Sequence, residues 1–425
     1  MDTIFALASA AGKAGVAVIR ISGADALVAG QKLAGPLPEH GRRLCRLRRG
    51  DGSLLDEALV LTFAQGRSFT GEIVVELQVH GSVAVIGALL RELGDMAGLR
   101  AAEAGEFTRR ALENNVLDLA QVEGLADLID AETEAQHRQS VRVLAGALGQ
   151  RAAEWRADLI QVMALIEAVI DFADEEVPEE LSPAVGKLIE KVAAALEQES
   201  LGVKAAERIR SGFEIAIVGA PNSGKSTLLN RLAGRSAAIT SHIAGTTRDV
   251  IEVRMDMGGL AVTVLDTAGI REARDEIEII GIELTMARAE AADIRVHLVG
   301  DNGKTELAVK AGDIVLRAKA DTGPVGGVSG RTGFGVDELV DALTGELKSR
   351  TANVGIAMRE RHRVAMVKAK SELDKALLLL PESTVAPELP AEHLRLAIRA
   401  IDSLVGKVDV EDVLGEIFSR FCIGK

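Results

Sequence analysis

Up to about residue 115, short apolar runs such as GVAVIRIS and EALVLTF alternate with glycine turns and leave room for one or two helices, which is an α+β pattern. From Leu117 the period changes. Leu159, Val162, Met163, Ile166 and Ile170 fall on one helical stripe, and Val185, Leu188, Ile189, Val192 and Leu196 fall on another. Between the stripes, the acidic, proline-containing DEEVPEELSP reads as a solvated linker, although its carboxylates could also hold a metal. At Phe213 the texture turns to strands and glycine-rich loops. Near Arg350 it returns to helix, with Pro381, Pro387 and Pro390 marking joints between the later helices. Helical texture on both sides of a self-contained module predicts an insertion, which is tolerated because the ends of such modules lie close together. The expected domains are residues 1–115, α+β; 116–210, the first part of a helical domain; 211–349, a nucleotide-binding module; and 350–425, the second helical part.

Composition narrows this picture. A chain of 425 residues exceeds one core, and 48% hydrophobic content with a mean hydropathy of +0.18 fits packed domains. A net charge of −14 argues against a chain that grips nucleic acid by itself, and any RNA would rely on a partner for much of the basic surface. Tyrosine is absent and Trp155 is the sole tryptophan, so platforms for base stacking are scarce. Cys45 and Cys422 suggest no disulfide framework. The start MDTIFALASAAG resembles a signal peptide but carries Asp2 where positive charge belongs. The longest apolar helix, LIQVMALIEAVIDF, contains Glu167 and is too short to span a bilayer, so a cytoplasmic location is expected.

The strongest chemical signal is FEIAIVGAPNSGKSTLLNRLAG. A β-branched run ends in Gly219, then Asn222, Ser223, Gly224, Lys225, Ser226 and Thr227 lead into a helix pattern. Such a loop wraps backbone N–H groups around phosphates. Lys225 suits the terminal oxygens, and the Ser226 hydroxyl suits magnesium. Downstream, AGTTRD places Thr246 and Thr247 in a switch loop, where Thr247 can reach magnesium when a γ-phosphate is present. In LDTAGIREARDE, Asp266 would stand behind the magnesium ion, while the Gly269 N–H would meet the γ-phosphate. Ile270 occupies the place of the glutamine that orients water in the best-known small GTPases. The base-selecting Asn-Lys-x-Asp appears as AKAD, Ala318 to Asp321. Asp321 can accept from guanine N1 and N2, and Lys319 can lie along the base plane. Ala318 lacks the amide that normally ties this loop together, so selectivity for guanine survives but is weaker. VSGRTG offers Ser329 and Gly330 as the loop over the guanine oxygen.

With these residues in hand, the chain resembles the MnmE (TrmE) family of tRNA-modification GTPases over nearly its whole length. The resemblance rests on GVAVIRISG, SFTGEIVVELQVHGS, AGEFTRRALENNVLDLAQVEGLADLIDAET, GAPNSGKST, IAGTTRD, DTAGIRE and the terminal IFSRFCIGK. It implies a multidomain α/β and α architecture: an N-terminal α+β dimerisation domain that binds a tetrahydrofolate one-carbon donor, and a discontinuous helical domain carrying an inserted Ras-like P-loop G domain. The nucleotide would also touch Ser241, His242, Ile243, Ala244, Gly245, Thr267 and Ala268. The resemblance further implies potassium activation. Asn222 would coordinate K⁺, Ser241, Ile243 and Thr246 would complete the shell, and Glu278 would orient the attacking water through a second water. The cation then takes the place of an arginine finger, which leaves Arg248 and Arg271 to structural salt bridges. Arg20, Glu76, Val116 and Lys425 match folate-contacting positions, with Val116 lacking a basic side chain. Cys422 is implied to be needed for modification. The implied activity is GTP hydrolysis coupled to installing a carboxymethylaminomethyl or aminomethyl group at carbon 5 of the wobble uridine of certain tRNAs. The implied assembly is a homodimer in a heterotetramer with the FAD-dependent protein MnmG, which holds most of the tRNA. A ribosome-assembly GTPase of the Era or EngA type is the alternative, and it would need a basic appendage.

Overall fold

The computed structural model describes residues 2–171, 181–234, 252–267, 285–321, 323, 326–352, 354–382, 386–408, 418, 421 and 424. The chain divides into two compact units. One comprises residues 1–126, 149–153 and 402–425; the other comprises 127–148 and 154–401.

The first unit is built on a six-stranded sheet. Its strands are β1 (Thr3–Leu7), β2 (Ala14–Ser22), β3 (Gly41–Arg48), β4 (Leu54–Phe63), β5 (Val74–Gly81) and β6 (Leu99–Ala101), in the order β3-β4-β5-β2-β1-β6. Alternation decides what each face carries. Ile19, Ile21, Val60, Val75, Leu77 and Leu47 point inward under α1 (Ala26–Ala34) and α2 (Val83–Gly94), which add Leu33, Leu89 and Leu93 to one core. The opposite face is covered over β1 by Phe107 of α3 (Glu106–Glu113), which packs on Ile4 and Ala6. That makes three helices before residue 115, one more than expected. In α3, EFTRRALE, Phe107 and Ala111 are the apolar residues buried, too thin a stripe to announce a helix. Gly105 precedes α3 at φ 69°, and a Cβ there would meet Phe418 at 2.9 Å, so this turn needs glycine.

The helices α4 (Leu119–Ile129), α5 (Glu134–Leu144), α6 (Ala147–Asp171) and α7 (Leu181–Ser211) follow. A reciprocal capping box between Thr133 and Gln136 starts α5. Both expected stripes are core. Leu159, Val162, Ile166, Val185, Ile189, Val192 and Leu196 are buried, while Met163 and Leu188 are half-buried. Residues 172–180, which include 174–180 of the acidic break, and the side chain of Ile170 lie outside the described residues, and the end of the break opens α7, with Pro183 in its first turn. No group of three or more metal-ligating side chains occurs among the described residues.

The second sheet has the order β12-β11-β10-β7-β9-β8, from β7 (Phe213–Gly219), β8 (Glu252–Met257), β9 (Leu260–Asp266), β10 (Ile294–Val299), β11 (Ile314–Ala318) and β12 (Gly327–Val328). Every pairing is parallel except β8 with β9. The helices α8 (Lys225–Ala233) and α9 (Val336–Arg350) bury Leu228, Leu229, Leu232, Leu339 and Leu343 against Ile215, Ile217, Val296 and Leu298. A parallel crossover normally runs through a helix, yet residues 300–313 between β10 and β11 contain none. Buried Asp313 braces this connection, accepting from Arg295, from His297 Nε2 at 3.2 Å and from the Lys310 N–H at 2.7 Å. Beyond α9 come α10 (Glu360–Leu379), which packs along α7, and α11 (Glu388–Leu404). Pro381 sits in a 3₁₀ turn between them. Pro390 marks no joint: it lies in the first turn of α11, where a missing N–H costs nothing. No helix among the described residues is long and apolar enough to cross a membrane.

Candidate functional site

The sheet order reverses at β7, which has β9 on one side and β10 on the other, and ligands of such sheets collect at the carboxyl end of the reversal point. The loop from Gly219 to Gly224 occupies that end. A Cβ at Gly219 would lie 2.6 Å from the Leu298 carbonyl, so the chain can turn over β10 only as glycine. Asn222 (φ 61°) and Gly224 (φ 96°) are both left-handed, and together they curl the loop into the start of α8. The first N–H groups of α8 have no partner within the helix, which suits them to an anion.

Lys225 is buried, and its Nζ donates to the carbonyls of Gly219 (2.7 Å) and Ala220 (3.0 Å). Burial draws its pKa below the usual lysine range, while the charges of Asp266 and Glu306 oppose that. Ser226 follows it in the first turn of α8. Asp266 ends β9, buried, within electrostatic reach of Lys225. Thr267 Oγ1 donates to the Ile217 carbonyl at 2.8 Å and is buried, so this hydroxyl fixes the strand ends.

Beside the loop lies a cavity of about 360 Å³. Ser223, Gly224 and Thr227 form one wall; Lys319, Asp321, Ser329 and Gly330 form the other. Asp321 is held in place: Ser329 Oγ, itself buried, donates to its Oδ1 at 2.5 Å, and the Thr332 N–H donates to Ser329 Oγ at 3.1 Å. Gly330 rests directly on α8, where a Cβ would come within 2.5 Å of the Leu228 nitrogen. Lys319 is left-handed, at φ 55°. Ala318 contributes no amide here, yet its neighbours still converge. Arg331 also lines the cavity and was not singled out by sequence reasoning; its place directly after Ser329-Gly330 was the available signal. Asn222 lines an adjoining cavity of about 740 Å³ that shares Ser223, Ala318 and Lys319. Ser241, His242, Ile243, Ala244, Gly245, Thr246, Thr247, Ala268, Gly269, Glu278, Cys422 and Lys425 lie outside the described residues, as do Arg248 and Arg271.

In the first unit, Arg20 on β2 stands directly opposite Glu76 on β5. Its Nε and Nη2 both lie 2.8 Å from Glu76 Oε1, with the side chains 18% and 16% exposed. The guanidinium sits over the rings of Phe69 (5.4 Å) and Phe107 (5.7 Å), and its Nη1 reaches the Gly424 carbonyl at 3.4 Å. Val116 follows α3, 42% exposed, beside Gly71. Sequence reasoning missed the clamp beneath. Buried Arg110 bonds Glu72 at 3.0 Å and Glu106 at 3.1 Å, and Arg100 bonds Glu106 at 2.6 Å. Burial works against ionisation of Glu106, but hydrogen bonds from Arg100, the Glu103 N–H and Arg110 prevail and take its carboxyl down to about 2.

A sheet parallel but for its β8 edge, with a glycine-rich loop at its reversal point, a lysine and a hydroxyl after that loop, and an oriented aspartate in the neighbouring cavity, defines a P-loop GTPase module. The TrmE N-terminus family model ("GTP-binding protein TrmE N-terminus") matches residues 3–116, and the MnmE helical domain model matches residues 119–422. The chain belongs to the MnmE family. A tRNA modification GTPase MnmE of Cereibacter sphaeroides is 57% identical, and one of Ruegeria pomeroyi is 58% identical, each over 428 aligned positions and 100% of both chains. Among solved structures, the FeoB G-domain from Methanococcus jannaschii aligns at 22% identity with a TM-score of 0.24, over 32% of this chain and 98% of that one. The strand order described above, rather than that likeness, defines the fold of the module.

Proposed function

We propose that this chain hydrolyses GTP and couples each turnover to adding a carboxymethylaminomethyl or aminomethyl group at carbon 5 of the wobble uridine of certain tRNAs. It acts in the cytoplasm as a homodimer, in a heterotetramer with the FAD-dependent protein MnmG. The observation that carries the nucleotide part is Asp321, aimed by Ser329 into a cavity that opens beside the Lys225 loop. A carboxylate there accepts from the two donors of guanine, and adenine offers no such pair. The domain assignment of residues 1–115, 116–210, 211–349 and 350–425 belongs to the same proposal.

Ser226 would supply an oxygen donor of the kind magnesium prefers, with Thr247 as the switch ligand and the Asp266 carboxylate standing behind the ion. Magnesium would neutralise the phosphates. K⁺ would be held by Asn222, on its left-handed turn at the cavity edge, with Ser241, Ile243 and Thr246; it would offset charge where an arginine finger is lacking. Glu278 would align water in place of the absent glutamine. The acid and cation of Glu76 and Arg20, with the guanidinium over two phenylalanine rings, suit the donors and the flat ring of a pterin, and Val116 and Lys425 would complete the contact. A 5-formyl- or methylene-tetrahydrofolate bound there supplies the one-carbon unit. Cys422 is assigned to the modification step.

The test is GTP turnover of the full chain in K⁺ and in Na⁺. Turnover in K⁺ should exceed that in Na⁺ by at least about tenfold, the scale on which a single well-placed charge acts, and Asn222→Ala should abolish the difference. Equal rates in the two salts would remove potassium from the account.

A further inference from the structure

Residues 40–49 hold five arginines and no acid, in a chain of net charge −14. Four of them, Arg42, Arg43, Arg46 and Arg48, lie on β3, the edge strand of the N-terminal sheet. Cys45 and Leu47 point into the core, so by the two-residue period Arg42, Leu44 and Arg46 stand on the opposite face. That face is open here: Leu44 is 69% exposed and the Arg46 side chain 68%. Counter-charge is thin. The acid paired with Arg46 is Glu57, 3.9 Å away and itself 56% exposed. Arg42 pairs in register with Leu61, Leu61 with Glu76, and Glu76 with Arg20. Cross-strand partners share a face. The arginine edge and the Arg20–Glu76 pair therefore lie on one side of the sheet, with Glu76 two strand spacings from β3 and Arg20 three, about 10 and about 14 Å.

We infer that this edge is where the chain itself holds the phosphate backbone of its RNA substrate. The inference rests on the tRNA-modification reading and deepens it. Arg42 and Arg46, four residues apart with Leu44 between them, stand about 13 Å from each other along the strand, far enough to engage two separate phosphates of one backbone, and each planar fork can take a phosphate through two hydrogen bonds. The edge carries no aromatic residue, so it binds backbone rather than stacked bases. Net charge averages this strip away, which is why composition pointed to a partner for the basic surface. An RNA strand lying along β3 brings its nucleotides to the face that bears the candidate folate pair.

Charged residues on an edge strand also discourage sheet-to-sheet pairing, and either sign of charge serves that purpose. The sign therefore discriminates. Binding of unmodified tRNA to the full-length protein, followed by fluorescence anisotropy across a salt series, compares wild type with R42E/R46E and R42K/R46K. The glutamate pair should weaken binding at least tenfold at low salt and flatten the salt slope by about 1.5, the loss of two phosphate contacts. The lysine pair should stay within about threefold of wild type, and both variants should turn over GTP at the wild-type rate. Wild-type affinity and slope in the glutamate pair would overturn the inference. So would loss of binding to the purified partner protein with tRNA binding intact. Mass spectrometry of the tRNA separates the two levels: if wild type leaves the wobble uridine unmodified while arginine sign still governs tRNA binding, the activity fails and the surface stands.

Discussion

The two candidate sites are made of different material. In the G domain the site is mostly backbone. Gly219, Gly224 and Gly330 shape it because a Cβ or a right-handed turn would not fit, and six consecutive positions, 219–224, make the phosphate loop. In the N-terminal sheet the site is mostly side chain. Arg20 and Glu76 are 56 residues apart and meet only because β2 and β5 pair in one register. A backbone site fails when it loses space, whereas a side-chain site fails when it loses a partner.

The larger expected effect is on the backbone site. Gly330→Val puts carbon where 2.5 Å separates a Cβ from the Leu228 nitrogen, so the loop carrying Ser329 must lift off α8. Titration with a fluorescent GTP analogue should show affinity down at least about 100-fold, on the scale of a lost buried contact and its strain. Unchanged affinity would mean that this loop does not close over the base. In the side-chain site, Arg20→Ala strands the Glu76 carboxylate, and an unpaired, largely buried acid costs about 1–3 kcal/mol. Affinity for 5-formyl-tetrahydrofolate, measured by calorimetry, should fall about tenfold, with GTP affinity unmoved. An equal fall in both would show that the two sites are not separable in this way.

The same difference governs what the sequence disclosed. GAPNSGKST announced itself because a phosphate loop compresses its geometry into consecutive residues, and the apolar period marked α6 and α7 because one face of each is core. Asp321 was legible from AKAD, but its brace was not: the Ser329 bond spans a strand and a turn. Arg20 looked like any polar strand residue until register set it against Glu76, over Phe69 and Phe107. The helix α3 was hidden because charged side chains hold it. Arg110, Glu106 and Glu72 do what a hydrophobic stripe does elsewhere, and no period reveals that. The helix-free crossover at 300–313 and its brace, Asp313 against Arg295 and His297, required the fold.

The central claim is that turnover at the Lys225 loop drives chemistry on tRNA. It is tested most directly by mass spectrometry of the wobble uridine in tRNA treated with the full complex containing either wild type or Lys225→Ala. The account requires the modified nucleoside with wild type, and a loss of about two orders of magnitude or more when the phosphate-binding lysine is removed. Full modification by the Lys225→Ala protein, with its GTP turnover abolished, would contradict it.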